Sequence, residues 1–198
     1  MPYDPNPYHR RSIRLKGYDY SLSGAYFVTI CVHYGQCLLG EIVDDEIHPS
    51  SFGQIAADCW NDLPNHYRHM SLDAFIVMPN HVHGIVVLTD TPGGPITHPD
   101  QYNEAIPIEG GMDGAHASKR PPLSEIIRAF KTFSAKQINL QQKRTGTSFW
   151  QRNYYEHIIR NERSYFAIRD YIVNNPVNWN KDQLHPHAPS NRLNHHWR

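Results

Sequence analysis

"MPNHVHGIVVL", residues 78–88, decides how this chain folds. Pro79 and Asn80 make a turn, and the β-branched run after them reads as a strand. The run before them, "LDAFIVM" (72–78), has the same character, so the two form an antiparallel pair. Side chains alternate along a strand. His81, His83, Ile85 and Val87 therefore share one face, and Val82, Gly84, Val86 and Leu88 share the other. Two imidazoles at the start of an apolar strand need a partner or a task.

The pattern continues outward on both sides. "GAYFVTICVH" (24–33) is aromatic and β-branched, a strand, and "CLLGEIV" (37–43) is read as its hairpin partner. "SFGQIAADCWNDLPNHY" (51–67) opens on serine and places Ile55, Cys59 and Leu63 at helical spacing. "LSEIIRAFKTFSAKQINLQQKR" (123–144) carries an apolar stripe of Ile126, Ile127, Phe130, Phe133 and Ile138, a second helix. "SFWQRNYYEHIIR" (148–160) reads as a strand. "ERSYFAIRDYIVNN" (162–175) reads as a helix that stops before Pro176, because a residue preceding proline avoids the α region. Residues 90–122 are rich in proline and glycine and read as a flexible insertion.

The expected architecture is α+β: a ferredoxin- or RRM-like sandwich, with an antiparallel sheet and helices stacked on one side of it. One catalytic-type domain over residues 1–180 is expected, followed by a loosely ordered tail over 181–198.

Composition narrows the class. The chain has 198 residues, 39% hydrophobic and 19% charged, which is the balance of a globular domain. No apolar run approaches the roughly 18 residues that span a bilayer, so no membrane partner is expected. The first twenty residues lack the apolar centre of a secretory signal, and three cysteines without zinc spacing fit reduced thiols. A cytoplasmic location is the expectation. Net charge is zero, but it is unevenly spread. Residues 39–113 hold twelve acids and one base, whereas residues 119–170 hold eleven bases and four acids. The second segment has the charge to follow a phosphate backbone, or it is a solvated helix face.

His-x-His on one strand face brings two neutral ligands toward a single divalent ion. It also describes two rings with unrelated hydrogen bonds, and the tripeptide leaves both open. In the last helix, Tyr171 and Asn175 are four apart and so share a face, setting a phenol one turn from a carboxamide. Aromatic rings interleaved with cations suit single-stranded nucleic acid: Phe130 and Phe133 near Arg128 and Lys131, and Trp150, Tyr154 and Tyr155 near Arg152. Core packing is the competing reading for Phe130 and Phe133. Arg10, Arg11, Arg14 and Lys16 form a basic arm that either touches DNA or is solvated.

Taken together, "MPNHVHGIVVL", "FWQRNYYEHIIRNE" and "RDYIVNNPVNW" resemble the signature blocks of the single-tyrosine HUH transposases, with the REP-associated tyrosine transposases the nearer branch. The resemblance spans roughly residues 10–180. It implies a DNA strand transferase that cleaves single-stranded DNA beside a hairpin through a tyrosine linked to the 5′-phosphate. Carried over residue by residue, it makes Tyr171 the nucleophile. His81, His83 and Asn175 become the ligands of a divalent metal, Mg²⁺ or Mn²⁺. Arg11, Arg14, Arg128, Lys131 and Arg152 are the expected DNA contacts, and members act as monomers or homodimers. The long insertion and the adjacent Asn174 depart from the simplest pattern. The absence of a Gly-x-x-x-x-Gly-Lys phosphate loop agrees with strand transfer that needs no nucleotide.

Two rival readings make distinct demands. A single-stranded nucleic-acid-binding module of RRM-like shape needs exposed aromatics on an open sheet face and no metal. A metal-dependent hydrolase needs an acidic ligand near the histidines, with Asp73 and Asp90 as the nearest in sequence.

Overall fold

The computed structural model describes residue 15, residues 17–90 and residues 120–189. Among the described residues, six strands and four α-helices occur in chain order: β1 (Gly24–Cys31), β2 (Gly40–Val43), β3 (Glu46–Pro49), α1 (Ser51–Asn61), α2 (Leu63–His66), β4 (Met70–Val77), β5 (His81–Leu88), α3 (Leu123–Gln141), β6 (Tyr155–Ile159) and α4 (Glu162–Val173). A 3₁₀ turn covers His33–Gly35, and a 3₁₀ helix covers Pro176–Lys181. Among the described residues no helix is long and apolar enough to cross a membrane.

The main sheet has the order β4-β5-β1-β6, and all its pairings are antiparallel. With β2 and β3 set aside, the elements run β-α-β-β-α-β. That is the ferredoxin-like arrangement, in which the first and third strands lie at the centre. Every residue of β1 and β5 is buried, as expected where helices cover both faces of a sheet.

One face carries Tyr26, Val28, Ile30, Val82, Val86 and Leu88 against Trp60 of α1 and Ile126, Ile127 and Phe130 of α3. The other carries Ala25, Phe27, Ile85 and Val87 against Tyr165 and Ile172 of α4. The helices therefore do not stack on one side, as the sequence reading had them. Tyr165, Ile168 and Ile172 form a stripe at helical spacing that matches the second face.

Three boundaries depart from the sequence reading for local reasons. The segment 37–43 does not pair with β1. Its last four residues pair with β3 through a turn at Asp44 and Asp45, both in the left-handed region (φ 50° and 62°). Two left-handed residues are what a two-residue hairpin demands, and Asp-Asp lacks the glycine that usually announces one. The helix read over 51–67 breaks at Asp62, because Pro64 has no N–H to continue the ladder. The strand read over 148–160 is confined to Tyr155–Ile159, with only an isolated bridge between Val32 and Trp150 before it. Lys131 holds that earlier stretch instead. Its ammonium donates to the carbonyls of Gln151 (2.5 Å) and Arg152 (2.8 Å).

Two features of the sheet fix how the helices seat on it. The β4–β5 register shifts by one residue between Leu72 and Phe75, a bulge on β4 that contains Asp73. Asp73 there accepts from the Tyr165 hydroxyl and from Arg169 Nε (3.4 Å), so it fastens α4 to the sheet edge. On the opposite face, Gly84 leaves room for Trp60. A Cβ at residue 84 would stand 2.3 Å from Trp60 Cζ2. Trp60 itself stacks on Phe75 (ring centroids 4.8 Å apart), so it has little space to retreat.

Gly84→Ala should therefore cost about 1–3 kcal/mol through overpacking, seen as a lower urea midpoint with an unchanged slope. Lys131→Met should cost about 1–2 kcal/mol by leaving two carbonyls without their donor, measured the same way.

Candidate active site

His81 and His83 start β5 on the face that α4 covers, and both are buried. Their Nε2 atoms approach to 3.0 Å. Each ring is fixed by its other nitrogen. His81 Nδ1 lies 2.7 Å from Asn80 Oδ1, and His83 Nδ1 lies 2.9 Å from Thr29 Oγ1 on the paired strand β1. An amide oxygen can only accept, so His81 carries its proton on Nδ1 and presents Nε2 as a bare lone pair. The Thr29 hydroxyl can donate or accept, so His83 has either form available. Burial pushes His83 down to about 3 and, together with the neighbouring His83 ring, holds His81 well below the usual imidazole range. Both rings are neutral at physiological pH, the form that binds metals.

Tyr171 comes from the last turn of α4, and its hydroxyl lies 3.2 Å from His83 Nε2. Its ring meets Phe27 edge-on and is 47% exposed, so the phenol faces the histidines while the ring edge stays open to solvent. Burial, with the charge of Asp182 behind it, pushes the phenol up to about 12, and the Asn175 amide pulls the other way. Without a cation at hand this tyrosine stays protonated.

Asn175 is 1% exposed. It lies two residues beyond the end of α4 yet keeps helical angles (φ −62°, ψ −39°), which preserves the one-turn spacing to Tyr171. Its side chain stabilises the charged forms of both Tyr171 and Asp182 by hydrogen bonding, and its Oδ1 is buried without a partner.

The sequence reading missed Asp182. The 3₁₀ helix Pro176–Lys181 turns the chain back beneath β5, and Trp179 lies beside His81. A carboxylate oxygen of Asp182 and one ring nitrogen each of His81 and His83 all lie within 4.8 Å of one another. Burial raises this carboxyl, opposed by the Leu184 N–H that donates to it at 2.6 Å. Residues read as the start of a loose tail are thus packed: Leu184 is buried, and its carbonyl accepts from Asn80 Nδ2 (2.8 Å). No spacing rule connects residue 182 to residue 81, so only the return of the chain after Pro176 reveals it.

The remaining expected residues are scattered. Arg128 and Arg152 are exposed, Arg128 3.8 Å from Glu125. Lys131 is committed to two backbone carbonyls, which leaves one N–H of its ammonium for a phosphate. Arg11 and Arg14 lie outside the described residues, as does most of the 90–122 insertion. Phe130 is core and Phe133 is exposed, while Trp150 is buried with its indole N–H on Ser134 Oγ (2.9 Å). Asp73 and Asp90, the acids nearest in sequence, are engaged elsewhere, Asp73 by Tyr165 and Arg169, and Asp90 by Arg120 and Ser23. The acidic ligand that a hydrolase asks for beside the histidines is present as Asp182. Helices cover both sheet faces, which leaves no open aromatic platform of the kind an RNA-binding module uses.

No family model matches the chain. Among solved structures it is similar to a REP-associated tyrosine transposase bound to a REP hairpin, at 20% identity and a TM-score of 0.47, over 84% of this chain and 73% of that one. It is also similar to a putative transposase from Deinococcus radiodurans, at 19% identity and a TM-score of 0.40, over 82% and 97%. Likeness this distant transfers no residue role. In sequence it is 37% identical over 186 residues to an uncharacterized protein of Haemophilus influenzae, covering 92% of this chain and 97% of that one. With that identity along nearly the whole of both chains, the protein belongs to the same family as this Haemophilus protein.

Proposed function

We propose that the chain is a metal-dependent endonuclease and strand transferase for single-stranded DNA, transposase-like, with Tyr171 as its nucleophile. The observation that carries this reading is the 3.2 Å approach of the Tyr171 hydroxyl to the buried, neutral His81–His83 pair. The three signature blocks in the sequence support it, and from them come the expected hairpin substrate and the 5′-phosphotyrosine link.

The residues present fit a divalent ion such as Mg²⁺ or Mn²⁺. With metal–nitrogen bonds of about 2.1 Å, two ligands at a right angle are separated by about 3 Å, and the two Nε2 atoms are 3.0 Å apart. His81 Nε2 is a bare lone pair, Asn175 Oδ1 is a buried acceptor lacking a donor, and Asp182 adds a carboxylate. His81, His83 and Asp182 would hold the ion, with Asn175 Oδ1 the fourth donor. Bound there, it would polarise the scissile phosphate and offset charge built up in the transition state.

The chain's own groups do the rest. Tyr171 Oη attacks phosphorus and loses its proton. The new O–P bond replaces the P–O3′ bond, and the departing 3′ oxygen takes up a proton. The phosphotyrosine keeps the diester's bond energy, so a second 3′-OH can reverse the step on another strand without a nucleotide. The half-exposed Tyr171 ring leaves this side of the site open to solvent, while Phe27 fixes its edge. The chain would act as a monomer or a homodimer. Exposed Arg128 and Arg152, with Arg11 and Arg14, would meet the phosphates. The reduced cysteines fit a cytoplasmic setting.

Incubated with Mn²⁺ and hairpin-bearing single strands labelled at the 3′ end, the protein should carry label through a denaturing gel. The band should vanish in Tyr171→Phe and persist in Tyr154→Phe and Tyr155→Phe. A peptide adduct mapped to any other tyrosine, or nicking without an adduct, would sink the assignment. The choice of oxygen ligand is separable by Mn²⁺ titration. Asp182→Asn should weaken binding at least about tenfold, or 1.4 kcal/mol, and Asn175→Ala by less. The opposite ranking would make Asn175 the principal ligand.

A further inference from the structure

Asn80 sits between the turn and the first histidine, fully buried, with every polar atom of its side chain engaged. Its Nδ2 donates to the carbonyls of Gly35 (3.2 Å) and Leu184 (2.8 Å). Both amide hydrogens are thereby assigned, so the carboxamide cannot flip without setting oxygen against two carbonyl oxygens. Its Oδ1 must face His81 Nδ1, at 2.7 Å. The backbone is held too, since the Val32 N–H donates to the Asn80 carbonyl at 2.8 Å.

We infer that Asn80 is a positioning residue that locks His81 in the tautomer with its proton on Nδ1, so that Nε2 is always bare and aimed at the ion, and that the same carboxamide docks the segment bringing in Asp182. This role rests on the proposed metal site. A histidine ligand free to exchange tautomers presents an N–H to the ion part of the time. A hydrogen bond to its second nitrogen removes that state and raises the basicity of the ligating one. The docking role comes from the path of the chain. Leu184, whose carbonyl takes one Asn80 hydrogen, is two residues from Asp182, and its own N–H donates to the Asp182 carboxylate. One side chain thus sets the direction of a nitrogen ligand and holds the loop that supplies an oxygen ligand.

The test uses the full chain, ¹⁵N-labelled and metal-free for the tautomer, with Mn²⁺ alone as the probe of binding. In the wild type, the His81 nitrogen shifts should report a protonated Nδ1 and a bare Nε2. Asn80→Ala should mix the tautomers and weaken Mn²⁺ binding about 10–100-fold, the range found when a partner behind a ligand is removed, while the amide spectrum outside the site stays folded. Asn80→Asp keeps an acceptor for His81 Nδ1 but sets an oxygen against the Gly35 and Leu184 carbonyls, so it should restore the tautomer and leave Mn²⁺ binding weakened. A wild-type His81 protonated on Nε2 overturns the inference and needs no variant to be seen. So does an alanine variant that binds Mn²⁺ as tightly as the wild type, or an aspartate variant whose His81 tautomers are as mixed as in alanine. If the wild type binds no Mn²⁺, the metal reading falls and takes the purpose of Asn80 with it, while the nitrogen shifts still decide the tautomer.

Discussion

The 3.0 Å approach of His81 Nε2 to His83 Nε2, both rings buried, leaves room for one proton or one cation shared by the pair. Two imidazolium charges at that separation in a low-dielectric interior would repel by far more than any hydrogen bond returns. Neutrality is therefore imposed, and it sets the surroundings. Each neutral ring has one N–H and one lone pair, so two of the four ring nitrogens need partners outside the pair. Asn80 and Thr29 supply them. Thr29 lies opposite His83 in the β1–β5 register, so the sheet itself delivers the second partner. The central strands thus serve as the rigid base of the site as well as the middle of the core.

The phenol is brought to that base by separate means. α4 lies over the second sheet face through Tyr165 and Ile172, and the bulge in β4 turns Asp73 toward it. Without the bulge, Phe75 and every residue after it would change face relative to Leu72. The bulge is what lets Asp73 grip α4 while Val77 and Met70 stay in the opposite core. Phe27 completes the link, stacked on His83 (5.3 Å between centroids) and edge-on to Tyr171 (6.1 Å). A histidine, a phenylalanine and a tyrosine from three elements thus form one wall.

Strand alternation was enough to place His81 and His83 on a common face, because residues two apart share a face in any register. The helix bearing Tyr171 was readable, but its end was not: α4 stops at Val173, Asn174 leaves helical angles (φ −90°, ψ 7°), and Asn175 returns to the α region although a proline follows it. What escaped depended on chain reversal. The β2–β3 hairpin hides behind an Asp-Asp turn, and Asp182 reaches the histidines only because a 3₁₀ helix brings it back under β5. Asn80 was read as a turn residue, which it is. Its second role needs the carbonyls of residues 45 positions before it and 104 after it, and no local pattern carries that information.

The pairing of β1 with β6 sets Ala25 opposite Ile159, so the sheet closes a loop that contains about two thirds of the chain. The entropy lost on closure grows only as the logarithm of loop length, about 0.6 kcal/mol for each doubling. Residues 91–119 lengthen this loop by roughly a quarter, which adds only about 0.2 kcal/mol by that relation. The connection between β5 and α3 is thus nearly free of thermodynamic constraint from the sheet. Its length and composition are open to change by insertion or loss, and what limits them has to be sought in something other than the stability of the fold.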